Sequence, residues 1–272
     1  MEKTKENTNE LILNERDERI KKLKELRKIN INPYPAKASR DYEIIQVLEK
    51  FASLEKGQKS FFIVGRLISK REHGNLIFAH LKDHSGKIQL AVSKKEIGKE
   101  AFVIFKKLID IGDFLEIKGI CFITHKGEES IMVNSYKILT KTIRPLPEKW
   151  HGLKNEEERL RKRYLDIIFN KEVREIIEKK AIFWQSIRAF MLKKGFLEVE
   201  TPVLEAASGG ADARPFITHH NALDMDVHLR ISMGELWQKR LMVAGLEKTF
   251  EIGRQFRNEG MDVEHLQEYT QL

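Results

Sequence analysis

The sequence predicts an α+β chain of more than one domain: an N-terminal helix, a small β-barrel, and the beginning of a second α+β domain. Three observations predict it. Apolar residues recur at helical spacing from Ile20 to Ile29, switch to alternation between Phe61 and Tyr136, and return to helical spacing after a proline-bearing connection. The 272 residues allow about two domains. The alternating stretch breaks into about five short runs with one helical interval, the pattern of a small barrel.

Composition narrows the function classes. With 49 Lys+Arg against 41 Asp+Glu the formal net charge is +8, which favours a polyanionic partner. A hydrophobic share of 41% supports real cores, so a wholly disordered chain is excluded. No apolar run approaches the ~18–20 residues of a membrane span, and the polar start lacks the apolar segment of a secretory signal. The lone Cys121 has no disulfide partner within the chain and offers no cysteine-based zinc site. A cytoplasmic protein without membrane contact is expected.

Residues 1–40 form the first part, a basic helical arm. Ile20, Leu23, Leu26 and Ile29 lie among Arg and Lys, and Asn32-Pro33-Tyr34-Pro35 ends the helix. Two readings stay open: a helix packed by one narrow stripe, or an arm that touches nucleic-acid backbone.

Residues 41–145 form the barrel. Phe62 to Ile68, Leu76 to Leu81, and Ile88 to Val92 are candidate strands, with Asp83-His84-Ser85-Gly86 as the turn before the third. A helical interval follows from Lys94 to Leu108, then strands at Phe114 to Gly119 and Ser130 to Tyr136. A helix between the third and fourth strands is the order of an OB-fold, which commonly offers its second and third strands to single-stranded nucleic acid. Arg66, on the first strand, is a candidate contact to phosphate or base. Phe78 either packs in the core or stacks on a base, and stacking is favoured because Ile77 and Leu81 already fill the core side.

Residues 146–272 form the third part. Asn155 can cap a helix with Glu158 reaching back, and a longer helix runs from about Lys171 to Lys194, ended by Gly195. Its apolar face of Ile176, Ile177, Phe183, Trp184, Ile187, Phe190 and Met191 is expected in a core or a subunit interface. Further on, Phe250, Ile252, Gln255 and Arg257 are expected to alternate along a strand, with Arg257 and Glu259 on one face. An arginine held there suits a phosphate or carboxylate, whereas an ordinary surface ion pair is the plain alternative. His219-His220 suggests metal, but no carboxylate or cysteine stands at ligand spacing, so no metal site is expected.

Four segments then resemble the class II aminoacyl-tRNA synthetases, and within them the lysyl-tRNA synthetase family. Leu197-Glu198-Val199-Glu200-Thr201-Pro202-Val203-Leu204 is similar to the first class motif and Phe256-Arg257-Asn258-Glu259-Gly260 to the second. Gly209 to Asp224, through Arg214-Pro215-Phe216-Ile217-Thr218-His219-His220-Asn221, resembles the lysyl type, as does Arg144-Pro145-Leu146-Pro147 with His151-Gly152. The chain departs from the family pattern at Gly234, Trp237, Leu266 and Gln267.

The resemblance implies an antiparallel-sheet catalytic domain after the barrel and a lysine--tRNA ligase that uses ATP and Mg2+. It implies that Arg257 neutralises the α-phosphate, Glu259 binds adenine, His265 meets the terminal phosphates and Tyr269 stacks on the adenine. Gly210 and Glu235 would hold lysine, with Glu235 on its α-amino group. In the barrel, Phe78 would stack on the central anticodon uridine while Gln89 and Glu128 read its edge, as single-stranded RNA is generally recognised. Partners implied are tRNA with a lysine anticodon, ATP, lysine and a second copy of the complete protein. The chain stops at Leu272, before the family's magnesium ligands and third motif, so it is expected to be an N-terminal portion that binds tRNA better than it activates lysine. An aspartyl- or asparaginyl-type relative and a non-catalytic anticodon-binding module are the alternatives.

Overall fold

The computed structural model describes residues 2–146, 155–233, 235–260, 262 and 265–272. Pro147, His151, Gly152, Gly234 and the side chain of Glu235 lie outside the described residues, as do the side chains of residues 2–13. Two compact units form, Met1–Leu165 and Asp166–Leu272.

The first unit opens with α1 (Glu2–Lys28), α2 (Ile44–Glu49) and α3 (Phe51–Gly57). Strands β1 (Phe61–His73), β2 (Leu76–Lys82) and β3 (Lys87–Ser93) follow. Two helices, α4 (Lys94–Ile97) and α5 (Lys99–Leu108), separate them from β4 (Phe114–Ile123) and β5 (Glu129–Thr140), and α6 (Glu156–Arg161) comes last. The strands close into a barrel in the order β1-β2-β3-β5-β4, with a short parallel pairing of β3 and β5 completing the ring. This is the expected OB order. The helical interval is split, because Gly98 at φ +84° breaks it into α4 and α5.

Alternation explains the barrel. Along β2, Ile77, Ala79 and Leu81 are buried while Phe78 and His80 face outward. Ile63, Leu67, Leu90 and Leu115 complete the interior with Phe105 of α5. Where β4 crosses β5, a Cβ on Gly119 would stand 2.4 Å from the carbonyl oxygen of Met132, so only glycine permits the approach.

The arm helix docks by a narrow stripe. Leu26 is fully buried, Arg19 Nη1 donates to the carbonyl of Ile111 at 3.0 Å, and Lys22 pairs with Asp110 at 2.5 Å. Ile29, expected on that stripe, falls just past the helix and is exposed.

The turn before β3 is organised by Asp83. Its carboxylate accepts from the backbone of Ile44 (3.0 Å), Ser85 (2.8 Å) and Gly86 (2.8 Å), and from the Ser85 hydroxyl (2.7 Å). Burial pushes this carboxyl up, but those hydrogen bonds outweigh it and hold it below the usual range. A depressed carboxyl stabilises the fold above its unfolded pKa of about 3.9 and loses that contribution as pH falls through the lower folded value. Asp83→Ala is therefore expected to destabilise the barrel by about 2–3 kcal/mol at neutral pH. Urea unfolding at a series of pH values should show that gap constant above pH ~5 and closing below pH ~4.

The second unit holds most of α7 (Arg163–Phe169), all of α8 (Lys171–Lys193), and α9 (Glu235–Val243). Its strands are short: β6 (Leu197–Glu198), β7 (Leu204–Glu205), β8 (Ile217–His220), β9 (Met225–Leu229), β10 (Thr249–Phe250), β11 (Gly253–Phe256) and β12 (Glu268–Gln271). They pair as β10-β6, β11-β12 and β7-β9-β8. In the preceding unit the Asn155 carboxamide caps α6 by accepting from the Glu158 amide at 2.9 Å, and here Gly195 at φ +81° follows α8. A core position for the apolar face of α8 is not what the chain adopts: Ile176, Ile177, Phe183 and Phe190 are all exposed, and only Val173 of this helix is buried. Periodicity marks a stripe without naming the surface that covers it.

The expected strand through Arg257 is also interrupted. The chain leaves β10 at Phe250, re-enters β11 at Gly253 and ends it at Phe256, so Arg257 and Glu259 lie past the strand. A buried polar hub sits at the gap between the two strands. Arg230 donates to Glu251 (2.7 Å), to the carbonyls of Arg254 (2.9 Å) and Thr201 (3.2 Å), and to the Thr201 hydroxyl (3.1 Å).

Candidate functional site

On the outer face of the barrel the hairpin of β2 and β3 sets Phe78 opposite Ala91 and His80 opposite Gln89. On the other side of β2, β1 places Arg71 opposite Phe78 and Ser69 opposite His80. The Phe78 ring has a small residue on one side and meets His73 edge-on at 6.1 Å, which leaves its platform outward. Arg66 shares the outer side but pairs with Lys82, four residues along β2, roughly 13 Å from Phe78 at ~3.4 Å per residue. Its guanidinium lies 4.4 Å from the centre of the Phe114 ring, and burial holds it below its usual pKa.

Gln89 and Glu128 are brought together by Ser130. Gln89 Nε2 donates to Ser130 Oγ at 2.9 Å, and Ser130 Oγ donates to the Glu128 carbonyl at 3.1 Å. The parallel β3–β5 pairing makes this possible by setting Gln89 opposite Ser130. The Glu128 carboxylate then reaches His80 Nε2 at 3.5 Å, and His80 Nδ1 meets Ser69 Oγ at 2.8 Å. Burial pushes the His80 imidazole below its usual pKa; Lys87 acts the same way and Glu128 opposes both. Ser69, His80 and Ser130 were not singled out from sequence. His80 could have been found by counting two residues from Phe78 along an alternating strand.

In the second unit, Arg257 projects its guanidinium over the Tyr269 ring at 5.5 Å, and its amide donates to the Gln267 carbonyl at 2.8 Å. Arg257 Nε is buried and, among the described residues, has no hydrogen-bond partner, which suits a donor set aimed at an anionic group. Glu259 accepts from the Arg214 amide at 3.2 Å while the Asn258 amide donates to the Arg214 carbonyl at 2.7 Å. The segment at Arg214 thus clasps the one after β11. His265 is exposed, with Nδ1 2.8 Å from both Asp262 oxygens. Gly210 adopts φ +84°, and a Cβ on its neighbour Gly209 would meet Leu236 Cδ1 at 2.8 Å, so this loop lies against the first turn of α9, which Glu235 opens.

His219 departs from the sequence expectation. The β8–β9 hairpin brings Asp226 to its Nδ1 at 3.1 Å and Asp224 to its Nε2 at 3.4 Å, so carboxylates do flank it. Among the described residues, no group of three His, Cys, Asp or Glu could hold a metal ion. No described helix is long and apolar enough to cross a membrane.

Residues 61–139 match the family described as OB-fold nucleic acid binding domain, and residues 155–272 match tRNA synthetases class II (D, K and N). The second stretch is thus a class II tRNA synthetase domain and the first an OB-fold domain. It is similar to the lysine--tRNA ligase of Carboxydothermus hydrogenoformans, 50% identical over 254 residues that cover 93% of this chain and 51% of the relative. It is likewise similar to the lysine--tRNA ligases of Syntrophomonas wolfei (49% identical; 93% and 51% covered) and Thermotoga maritima (42% identical; 94% and 52% covered). The chain spans about half the length of these curated relatives. In it the barrel platform falls within the first matched stretch, and Arg257, Glu259 and Tyr269 fall within the second.

Proposed function

We propose that this synthetase chain serves the ligation of lysine to its tRNA in the cytoplasm, with residues 1–40 as a basic arm, 41–145 as the anticodon-binding barrel and 146–272 as part of the catalytic domain. The observation that carries the barrel's role is the outward Phe78 ring on the same face as Gln89, whose amide reaches Ser130, which in turn donates to the main-chain carbonyl of Glu128. An unpaired base can lie on the ring while the amide and carboxylate meet its Watson–Crick edge. Arg66 adds a cation further along the same strands.

For the second unit we propose that Arg257 binds the α-phosphate of ATP, Tyr269 stacks on the adenine, Glu259 accepts from it and His265 meets the terminal phosphates. The buried, unpartnered Arg257 Nε fits an anionic ligand. Charge grows on that phosphate as the lysine carboxylate attacks, and a fixed guanidinium stabilises it most in the transition state. Gly210 and Glu235 would hold lysine. Mg2+ accompanies ATP in this chemistry and shields phosphate charge; no described residue of this chain is assigned to it. The complete protein is proposed to act as a homodimer.

Binding of the chain to a lysine anticodon stem-loop tests the barrel. Phe78→Ala is expected to weaken it by about 1–3 kcal/mol, roughly 5- to 150-fold, with the barrel still folded by circular dichroism. Undiminished affinity would remove the stacking role. The amino acid is tested separately by ATP–pyrophosphate exchange, where dependence on aspartate or asparagine instead of lysine would overturn the assignment.

A further inference from the structure

We propose that His80, with its tautomer set by Ser69, is a positioning residue for the Glu128 carboxylate and so helps the barrel prefer uridine over cytidine at the base that stacks on Phe78. The proposal rests on the anticodon-binding reading given above. Its starting point is two sets of polar contacts that meet at Glu128: its main-chain carbonyl accepts from Ser130, which Gln89 also reaches, and its carboxylate lies against His80, whose other ring nitrogen meets Ser69.

The chemistry of the carboxylate and the hydroxyl on either side of His80 fixes the direction of the second set. A carboxylate only accepts hydrogen bonds, so the contact of Glu128 with His80 is attractive when His80 Nε2 carries a proton. A neutral imidazole then leaves Nδ1 as an acceptor, and the Ser69 hydroxyl at 2.8 Å is the donor that suits it. Burial favours that neutral form. The charged groups acting on the ring are Glu128 from the β4–β5 loop, Lys87 from β3 and Arg71 from β1.

Discrimination follows from what an ionised carboxylate can accept. Uridine offers an N3–H to it, whereas cytidine offers an N3 lone pair and is repelled. The effect depends on where the carboxylate is held. The Glu128 backbone is pinned: its amide donates to Thr124 Oγ1 at 3.0 Å, and its carbonyl accepts from the Thr124 amide and Ser130 Oγ, each at 3.1 Å. Its side chain is half exposed and reaches back to His80 Nε2. A free glutamate must surrender rotamer freedom to meet the base, and a tethered one has already done so.

The test is equilibrium binding of the 272-residue chain to two anticodon stem-loops that differ only in a central uridine or cytidine. His80→Ala is expected to lower the uridine-to-cytidine affinity ratio by roughly five- to tenfold, mainly through weaker uridine binding, the worth of about one hydrogen-bonded contact. Ser69→Ala should lower the ratio in the same direction and Ser69→Thr, which keeps the hydroxyl, should restore it. Phe78→Ala should weaken both RNAs and leave the ratio nearly unchanged. A ratio unaltered by His80→Ala in a folded barrel overturns the proposal, and if that variant fails to fold, the Ser69→Ala and Ser69→Thr pair decides. Should the unaltered chain bind neither RNA, or should Phe78→Ala have no effect, the anticodon reading itself fails. If only the His80 and Ser69 variants are silent, that reading stands and the positioning role is gone.

Discussion

Replacing Lys141 with methionine is expected to destabilise the barrel unit by about 3–5 kcal/mol, a large share of what holds a domain of this size together. The Lys141 side chain is 0% exposed and its ammonium sits between two carboxylates, Asp110 Oδ2 at 2.5 Å and Asp113 Oδ2 at 2.8 Å. Asp113 also accepts from the Asp110 amide and, through its other oxygen, from the Thr142 amide, both at 2.8 Å. Lys22 of the arm reaches the remaining Asp110 oxygen. One ammonium thus ties the end of β5, the approach to β4 and the arm helix. Its removal leaves two carboxylates buried without their shared cation.

The pH dependence distinguishes this from loss of packing. Burial pushes Asp113 above the usual range, whereas at Asp110 burial acts the same way but Lys141 and Lys22 hold it below. Without Lys141 both folded pKa values rise. A raised carboxyl costs stability where it must ionise, so the penalty should be largest at neutral pH and shrink as acid protonates the pair. Urea unfolding followed by far-ultraviolet circular dichroism at pH 7 and pH 4.5 measures it. Adding Asp110→Asn and Asp113→Asn to the methionine variant should recover part of the loss; a penalty independent of pH would refute the electrostatic account.

The same contrast between local and distant causes decides what could be read from sequence. Alternation gave all five barrel strands, because Ile77, Ala79 and Leu81 on one side of β2 can only be followed by Phe78 and His80 on the other. The Asp83–Gly86 turn also set the β2–β3 register, so His80 opposite Gln89 was within reach of a count from Lys82 and Lys87. The approach of Ser130 to Gln89 was not, since it depends on a parallel pairing across residues far apart in sequence. Gly98 split a helix that composition alone ran together. In the second unit the α8 boundaries were legible from Gly195, yet the exposure of Phe183 and Phe190 was not, because periodicity carries no information about a partner surface. The strand expected through Arg257 is broken between Phe250 and Gly253, where Glu251 pairs with Arg230, a partner remote in sequence.

Arg230→Met is accordingly expected to destabilise the second unit by about 3–5 kcal/mol. Arg230 and Glu251 are both buried, 3% and 6% exposed, and the guanidinium makes four hydrogen bonds to Glu251, Thr201 and the Arg254 carbonyl. Thr201 Oγ1 in turn donates to the second Glu251 oxygen at 2.6 Å. The fit is close enough that a Cβ on Gly253 would lie 2.4 Å from Arg230 Nη2, which explains glycine at the start of β11. Methionine keeps much of the volume but strands Glu251 and two backbone carbonyls. Trp184 and Trp237 both lie in this unit, so tryptophan fluorescence during urea unfolding reports the loss. The consequence extends to the proposed nucleotide site, because the Arg230 guanidinium holds the Arg254 carbonyl at 2.9 Å, three residues before Arg257. A chain that loses this anchor should bind ATP more weakly even under conditions where it remains folded, and Arg230→Lys, which keeps the charge but not the fork of donors, should recover stability only in part. If Arg230→Met unfolds at the same urea concentration as the unaltered chain, the buried hub is not what fixes the path of β11 toward Arg257.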